Sequence, residues 1–118
     1  YNCVLCVKHV EETISHLFFT CPFSEACWLY LGIHWDPSLQ LQDMIVQALQ
    51  HFGSTIFREI VTVVAWSIWC HRNSIIFDGQ HVSFAQWRRS FVEDLSLVSL
   101  RAKPFVSSSL NLWLSSLI

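Results

Sequence analysis

The sequence CVLC at residues 3–6 is followed, nine residues later, by HLFFTC at residues 16–21, and this stretch decides the fold. Two thiols at C-x2-C spacing lie on one tight turn, so both sulfurs can bind one ion. A histidine and a cysteine at H-x4-C spacing supply two further ligands from a second element. The candidate metal ligands are therefore Cys3, Cys6, His16 and Cys21, three thiolates and one imidazole, which is a tetrahedral set that suits Zn2+.

A metal bound by these four side chains would be structural, because no coordination position is left for water or substrate. We expect one Zn2+, which would hold the N-terminal turn against the helix that follows it. The alternative is that these residues are ordinary buried thiols and a core histidine, since free cysteine is among the most buried residue types. The polar residues Lys8, His9, Glu11 and Glu12 leave this segment little core of its own, which favours the metal.

Two longer motifs carry a family resemblance. Residues 3–6, the sequence ETISHLFFTCPF at residues 12–23 and Trp28 together resemble the zinc-binding domain that follows the reverse transcriptase in plant non-LTR (LINE-type) retroelement polyproteins. The sequence AWSIWCHRNSIIFDG at residues 65–79 is similar to a segment often found after that domain. The resemblance covers about two-thirds of the chain and implies a non-catalytic accessory module that assists nucleic-acid handling. The remainder resembles the spacer that precedes a ribonuclease H domain in longer relatives.

Composition indicates one ordered domain. The chain has 118 residues, of which 53% are hydrophobic and 14% charged, well below the about 25% charged that is usual for soluble domains. With so few charged residues, part of the surface must be apolar, which indicates a partner or a larger parent protein. The first residue is Tyr1 and not methionine, so we expect a fragment. Five cysteines in this pattern are typical of a reducing compartment, the nucleus or the cytoplasm, and no signal peptide is visible.

Apolar periodicity predicts a mainly α fold, with a small N-terminal zinc knuckle followed by a four- to five-helix bundle around a central helix at about residues 55–77. The β-branched run at residues 60–64 also suits a strand, but the apolar pattern continues far past strand length. The predicted knuckle and helices span residues 1–10, 11 or 12 to 19, 22–31, 39–52, 55–77 and 83–101. Two of these helices have a predicted apolar stripe, formed by Ile14, Leu17 and Phe18 in the first and by Leu41, Met44, Ile45, Ala48, Leu49 and Phe52 in the third. The sequence SFAQ at residues 83–86 has the form of a capping box, which predicts the start of the last helix. All three glycines follow an apolar-periodic segment, as helix C-caps do.

The predicted organisation is one continuous domain with a tail. Residues 1–32 form the knuckle and the first two helices, residues 33–103 form the bundle packed on them, and residues 104–118 are a tail or spacer. Ser107 to Ser109 are a predicted hinge, after which the tail either docks as a helix or is the ragged edge of the fragment. Cys27 and Cys70, the two cysteines outside the metal set, are predicted core residues.

Charge and residue inventory restrict the function. The net charge is −2 and the chain has no basic tract, so any contact with nucleic acid would be made by a few scattered basic side chains. The candidates are Lys8, Arg72, Arg88 and Arg89. A solvated helix face is the alternative for Arg88 and Arg89, with Trp87 in the core. A second functional class is a metal-independent helical protein-interaction domain, a retroelement remnant, whose binding surface is apolar.

Two further classes are not expected. The nine acidic residues are scattered without the clustered carboxylates that hold Mg2+ in reverse transcriptases and ribonucleases H, so we predict no enzyme. The most apolar run, residues 60–70, is shorter than the about 20 residues that span a bilayer, so we predict no membrane partner.

Overall fold

The computed structural model describes residues 2–117 and confirms the mainly helical fold with a small N-terminal knuckle. A short π-helix precedes five α-helices, and these elements follow one another without a named strand in the described residues. Their bounds are His16–Thr20 for the π-helix, then α1 Pro22–Tyr30, α2 Leu41–Phe52, α3 Phe57–Asp78, α4 Phe84–Arg101 and α5 Pro104–Leu117.

The N-terminal hairpin, residues 2–11, is held by very few backbone interactions. The N–H of Cys3 donates to the carbonyl oxygen of Val10 at 2.8 Å, and Asn2 pairs with Glu11 in an isolated antiparallel bridge. His9 adopts φ 55° where the chain turns back, a left-handed conformation in which histidine is enriched several-fold among non-glycine residues. Such a hairpin lacks the hydrogen bonds and core to be stable alone.

The first predicted helix begins later than expected and winds differently. Helical backbone starts at Ile14 instead of Glu11 or Glu12, and from His16 it is π-helical. Ile14, placed by periodicity on a buried stripe with Leu17, is 77% exposed, whereas Leu17 is buried. The stripe was wrong for Ile14 because a π-turn advances the chain by a different angle per residue from the α-helix that the pattern assumed.

The central helix is α3, as predicted, and it packs along α4 while α1 touches both. Trp87 of α4 is fully buried, stacks on Phe91, and donates its indole N–H to Ser67 Oγ of α3 at 2.8 Å. His71 accepts the N–H of Ser83 at Nε2, and burial lowers the pKa of this imidazole, so it stays neutral as an acceptor must. These polar groups in the core are thus hydrogen-bonded, whereas Trp35 Nε1 and Glu59 Oε2 are buried without a partner among residues 2–117.

The helix ends follow the predicted caps. Ser83 accepts the N–H of Gln86 at 3.1 Å and so begins α4, as its capping-box sequence predicted. Gly53 and Gly79 end α2 and α3 with φ 71° and 69°, which glycine adopts without steric cost. The central helix starts at Phe57 instead of 55 because the chain turns at Ser54, whose hydroxyl accepts the N–H of Ile56.

Some apolar side chains predicted to be buried are exposed. Cys27 is in the core as predicted, but Cys70, on the outer side of α3, is exposed. On α2 only Met44 and Ala48 are buried, while Leu41, Ile45 and Leu49 of the predicted stripe face outward. Periodicity identifies the apolar side of a helix, but it does not determine whether another element covers that side.

The C-terminal tail is a docked helix, and the predicted hinge at Ser107–Ser109 was wrong. These serines lie within α5, where Ser109 Oγ donates to the carbonyl oxygen of Phe105. Ser107 Oγ lies 3.2 Å from Ser99 Oγ of α4, so both serines have partners that are compatible with a helix here. Pro104 occupies the first turn of α5, where its missing N–H costs nothing.

By length and composition alone, α3 could cross a membrane. It has 22 residues, an 18-residue window within it has a mean hydropathy of 1.2, and 33% of that window is buried inside the fold. The core helix of a soluble protein passes the same test. The expectation that no membrane is involved rested on the shorter run at residues 60–70 and stays a prediction.

The docking of α5 can be tested with two leucines of that helix. Leu110 is fully buried and Leu112 is 73% exposed. We expect Leu110→Ala to lower the free energy of unfolding by about 2–5 kcal/mol through lost burial and a cavity, and Leu112→Ala to change it by less than about 0.5 kcal/mol. Urea denaturation of both variants measures this, and equal effects would mean that α5 does not dock as described.

Candidate metal centre

The structure brings together the four predicted ligands, Cys3, Cys6, His16 and Cys21, here called the tetrad. Their ligand atoms all lie within 4.8 Å of one another. Cys3 Sγ is 3.8 Å from Cys21 Sγ, and Cys6 Sγ is 3.5 Å from His16 Nε2. In a tetrahedral zinc site with bonds of about 2.3 Å to sulfur and about 2.05 Å to nitrogen, these edges would be about 3.8 Å and about 3.6 Å. These two edges match a zinc tetrahedron, and the four ligand atoms together could hold a metal ion.

The H-x4-C spacing is matched to the π-helix. In an α-helix of 3.6 residues per turn, a side chain five positions after His16 would point about 140° away from it. Here the N–H of Cys21 donates to the carbonyl oxygen of His16 at 2.7 Å, an i→i+5 bond that closes a π-turn. This turn places Cys21 one winding above His16, so both side chains face the N-terminal hairpin.

Two threonines orient His16. The backbone N–H of His16 donates to Thr13 Oγ1 at 3.0 Å, and the ring Nδ1 lies 3.3 Å from Thr20 Oγ1. With Nε2 directed at Cys6, the proton belongs on Nδ1, where it donates to the Thr20 hydroxyl. Sequence reasoning missed both threonines. Thr13 was detectable as a cap three residues before His16, whereas nothing in the sequence marked Thr20.

Burial sets the protonation of the thiols. Burial raises the pKa of Cys21 to about 12, although the N–H groups of Phe23 and Ser24 at the start of α1 act in the opposite direction. The pKa of the Cys3 thiol is raised by the same cause. Buried thiolates therefore need a compensating cation, and a bound divalent metal deprotonates its thiol ligands.

The electrostatics of the filled tetrad are simple. Three thiolates and Zn2+ would carry one net negative charge, and the N-terminus of α1, which Cys21 caps, points its positive dipole end at that site. Lys8 lies exposed on the same hairpin as Cys3 and Cys6, where a positive charge is favourable. Cys6 is the one ligand cysteine that is only half-buried.

Arg72, a predicted nucleic-acid contact, is engaged inside the protein. Its guanidinium makes a two-bond contact with the Glu12 carboxylate, at 3.1 Å and 2.7 Å, and lies over the ring of Trp69. Both side chains of the pair are nearly buried, at 12% and 13% exposure. This ion pair joins α3 to the segment before the π-helix, a contact that sequence reasoning missed.

Arg88 and Arg89, here called the basic pair, are exposed on α4. Arg88 Nε donates to the hydroxyl of Tyr30 at 2.6 Å, and its guanidinium lies over that ring. The pair lines a surface cavity of about 360 Å³, whose other wall includes the Glu93 carboxylate. Arg89 and Lys8 therefore remain the more accessible of the predicted phosphate contacts.

The fold and the tetrad define a class: a small, mainly helical protein with a four-ligand candidate metal centre between an N-terminal hairpin and a π-helix. No protein-family model, curated protein or solved structure matches this chain. The family resemblance therefore rests on the sequence motifs alone, and the site is interpreted from its geometry.

The role of Thr20 is testable with a matched pair of substitutions. Thr20→Val removes the acceptor of the His16 Nδ1 proton, and we expect it to weaken Zn2+ binding about 10- to 100-fold, as outer-shell substitutions do. Thr62→Val is the control, because Thr62 is exposed on α3, where its hydroxyl donates to the carbonyl oxygen of Arg58. Competition with a chromophoric chelator measures both affinities. Equal affinities for the two variants would contradict this role.

Proposed function

We propose that this chain is a non-catalytic zinc-binding module, in which one Zn2+ ion held by the tetrad joins the N-terminal hairpin to the helices. The observation that carries the proposal is the agreement of the two tetrad distances with the edges of a zinc–thiolate–imidazole tetrahedron. All four positions are filled by protein atoms, so the ion would be structural. Removing it would release a hairpin that has almost no core of its own.

We further propose that the module belongs to a retroelement reverse-transcriptase polyprotein and assists its catalytic neighbours in handling nucleic acid. The support is the resemblance of residues 3–28 and 65–79 to such domains, together with the convergence of the motif cysteines and histidine in space. Within residues 2–117 the tetrad is the one cluster of ligand-type side chains able to hold a metal, which favours an accessory role over phosphoryl chemistry. It would act in the nucleus or cytoplasm.

Arg89 and Lys8 support the nucleic-acid role, since both are exposed and carry no described ion pair. Arg72 fits it less well, because its charge is matched by Glu12. With net charge −2, the module would contribute a few phosphate contacts to a larger interface instead of binding tightly alone.

The second candidate function is a helical protein-interaction domain whose binding surface is apolar. The observation that favours it is the outward row of Leu41, Ile45 and Leu49 on α2, spaced four residues apart as anchors of a helix-in-groove contact are. Salt separates the two candidates, because phosphate binding weakens steeply as salt rises whereas apolar association does not.

Metal content tests the structural role. We expect one Zn2+ per chain in protein purified without chelator, and loss of circular dichroism and of cooperative unfolding when a chelator removes it. Cys21→Ser should abolish binding, whereas Cys70→Ser, on the exposed side of α3, should leave it intact. Metal-free protein with an unchanged spectrum would make the cysteines core residues and end the zinc proposal.

A salt titration tests the nucleic-acid role. Fluorescence anisotropy of labelled single-stranded RNA and of duplex DNA should detect binding that weakens as the salt concentration rises. In Arg89→Gln the slope of log affinity against log salt concentration should be less steep, by about 0.7 for the single strand or about 0.9 for the duplex. Arg58→Gln is the matched control, an exposed arginine on α3. Absence of binding at low salt, or the same loss in both variants, would refute the basic pair as a phosphate site.

A further inference from the structure

A second cavity, of about 260 Å³, lies beside the tetrad. Its walls include three aromatic side chains, Phe19, Trp28 and Trp35, and the carboxylate of Glu25. Thr20, which contacts His16 Nδ1, also lines it, so the π-helix forms both the metal centre and one wall of this cavity. Nothing in the proposed zinc module uses this space.

The aromatic walls meet at nearly right angles. Trp28 and Trp35 have ring centroids 5.1 Å apart and planes inclined at 84°, and Phe19 and Trp35 are 5.2 Å apart at 76°. A flat ligand stacks on one ring, whereas rings set at right angles surround a compact, tetrahedral group on several sides. Aromatic corners of this kind attract ammonium groups through the negative charge density of the ring faces.

The walls are fixed before any ligand arrives. Trp28 is almost completely buried and donates its indole N–H to the carbonyl oxygen of Phe18. Phe19 belongs to the π-helix, and Trp35 packs between Phe19, Trp28 and Phe57. A preformed site spends less binding free energy on ordering its own side chains.

The charges around the cavity favour a cation. Glu25 is exposed at its rim, and the filled tetrad behind Thr20 would add one further negative charge. The described residues that line the cavity include no lysine or arginine, in contrast to the cavity of the basic pair. The imidazole of His34 is the other titratable group in the lining. Next to the Glu25 carboxylate and the filled tetrad, an ammonium group would be favoured over a phosphate.

The rim is apolar beyond Glu25. Leu29, 55% exposed, and Pro37 border the opening. Such a rim suits the methylene stem of a lysine, which packs on apolar surface while its charged end reaches a polar partner. A small free cation would leave this rim uncovered.

We propose that this cavity binds the side chain of a lysine, or of an N-methylated lysine, from a partner protein. The ammonium group would lie in the corner formed by Trp28, Trp35 and Phe19, near Glu25, and the stem would lie across Leu29. This gives the module a protein partner of defined chemistry, at a site separate from the basic pair. It does not depend on nucleic-acid binding.

Three small probes test the chemistry on metal-loaded protein. They are the Nα-acetyl N-methylamides of lysine, of trimethyllysine and of norleucine, the last having the same stem without the ammonium group. The indole N–H signals of Trp28 and Trp35 in nitrogen–proton correlation spectra should shift saturably with either lysine probe, with a Kd on the order of 1 mM. Norleucine should bind about 2- to 30-fold more weakly. Equal binding of norleucine, or no saturable shift with any probe, would overturn the proposal.

Variants locate the site. Glu25→Gln should weaken the better lysine probe by up to about fivefold, while Glu93→Gln, an exposed carboxylate on α4, should leave its affinity unchanged. Leu29→Lys should repel the probe, whereas Leu100→Lys, on an exposed position of α4, should not. These four substitutions are at exposed positions, so none requires a change in the core. Identical affinities across the set would place the probe elsewhere and refute the site.

Discussion

The i→i+5 hydrogen bond from Cys21 to His16 is the constraint on which this structure depends. Because of this bond, His16 and Cys21 lie on the same side of the helix although five positions separate them. Both face the hairpin that carries Cys3 and Cys6. The hairpin has one isolated bridge and buries little besides Cys3 and Leu5, so the tetrad supplies much of its attachment to the helices. A metal ion at this point would convert four separate side chains into one cross-link, and its binding free energy would become folding free energy.

Around this cross-link, polar side chains act as internal connections. Glu12, just before the π-helix, holds Arg72 of α3 in a nearly buried two-bond ion pair, and Tyr30 at the end of α1 accepts a hydrogen bond from Arg88 of α4. The guanidiniums that sequence reasoning assigned to phosphate are thus partly occupied in joining helices. The desolvation of both charges offsets much of their attraction, so a pair of this kind adds little net stability although losing one partner would leave the other charge uncompensated.

The same short segment serves two sites. The π-helix contributes His16 to the tetrad, while Phe19 and Thr20 line the aromatic cavity. The π-helix therefore links the wall of that cavity directly to the tetrad. The exposed leucine and isoleucine side chains of α2 belong to neither site. They lie on a helix that buries only Met44 and Ala48.

The sequence by itself determined helices α1 to α4, the caps of α2, α3 and α4, and the four candidate ligand positions. Ser83 begins α4 and glycines end α2 and α3, because capping depends on residues within a few positions of each other. The ligands were identifiable because their types and spacings are local properties. Tertiary structure alone decided the π-turn, the Glu12–Arg72 pair, the exposure of Cys70 and the docking of α5. Each of these depends on which surfaces meet after the chain folds, and periodicity carries no information about a partner sixty residues away.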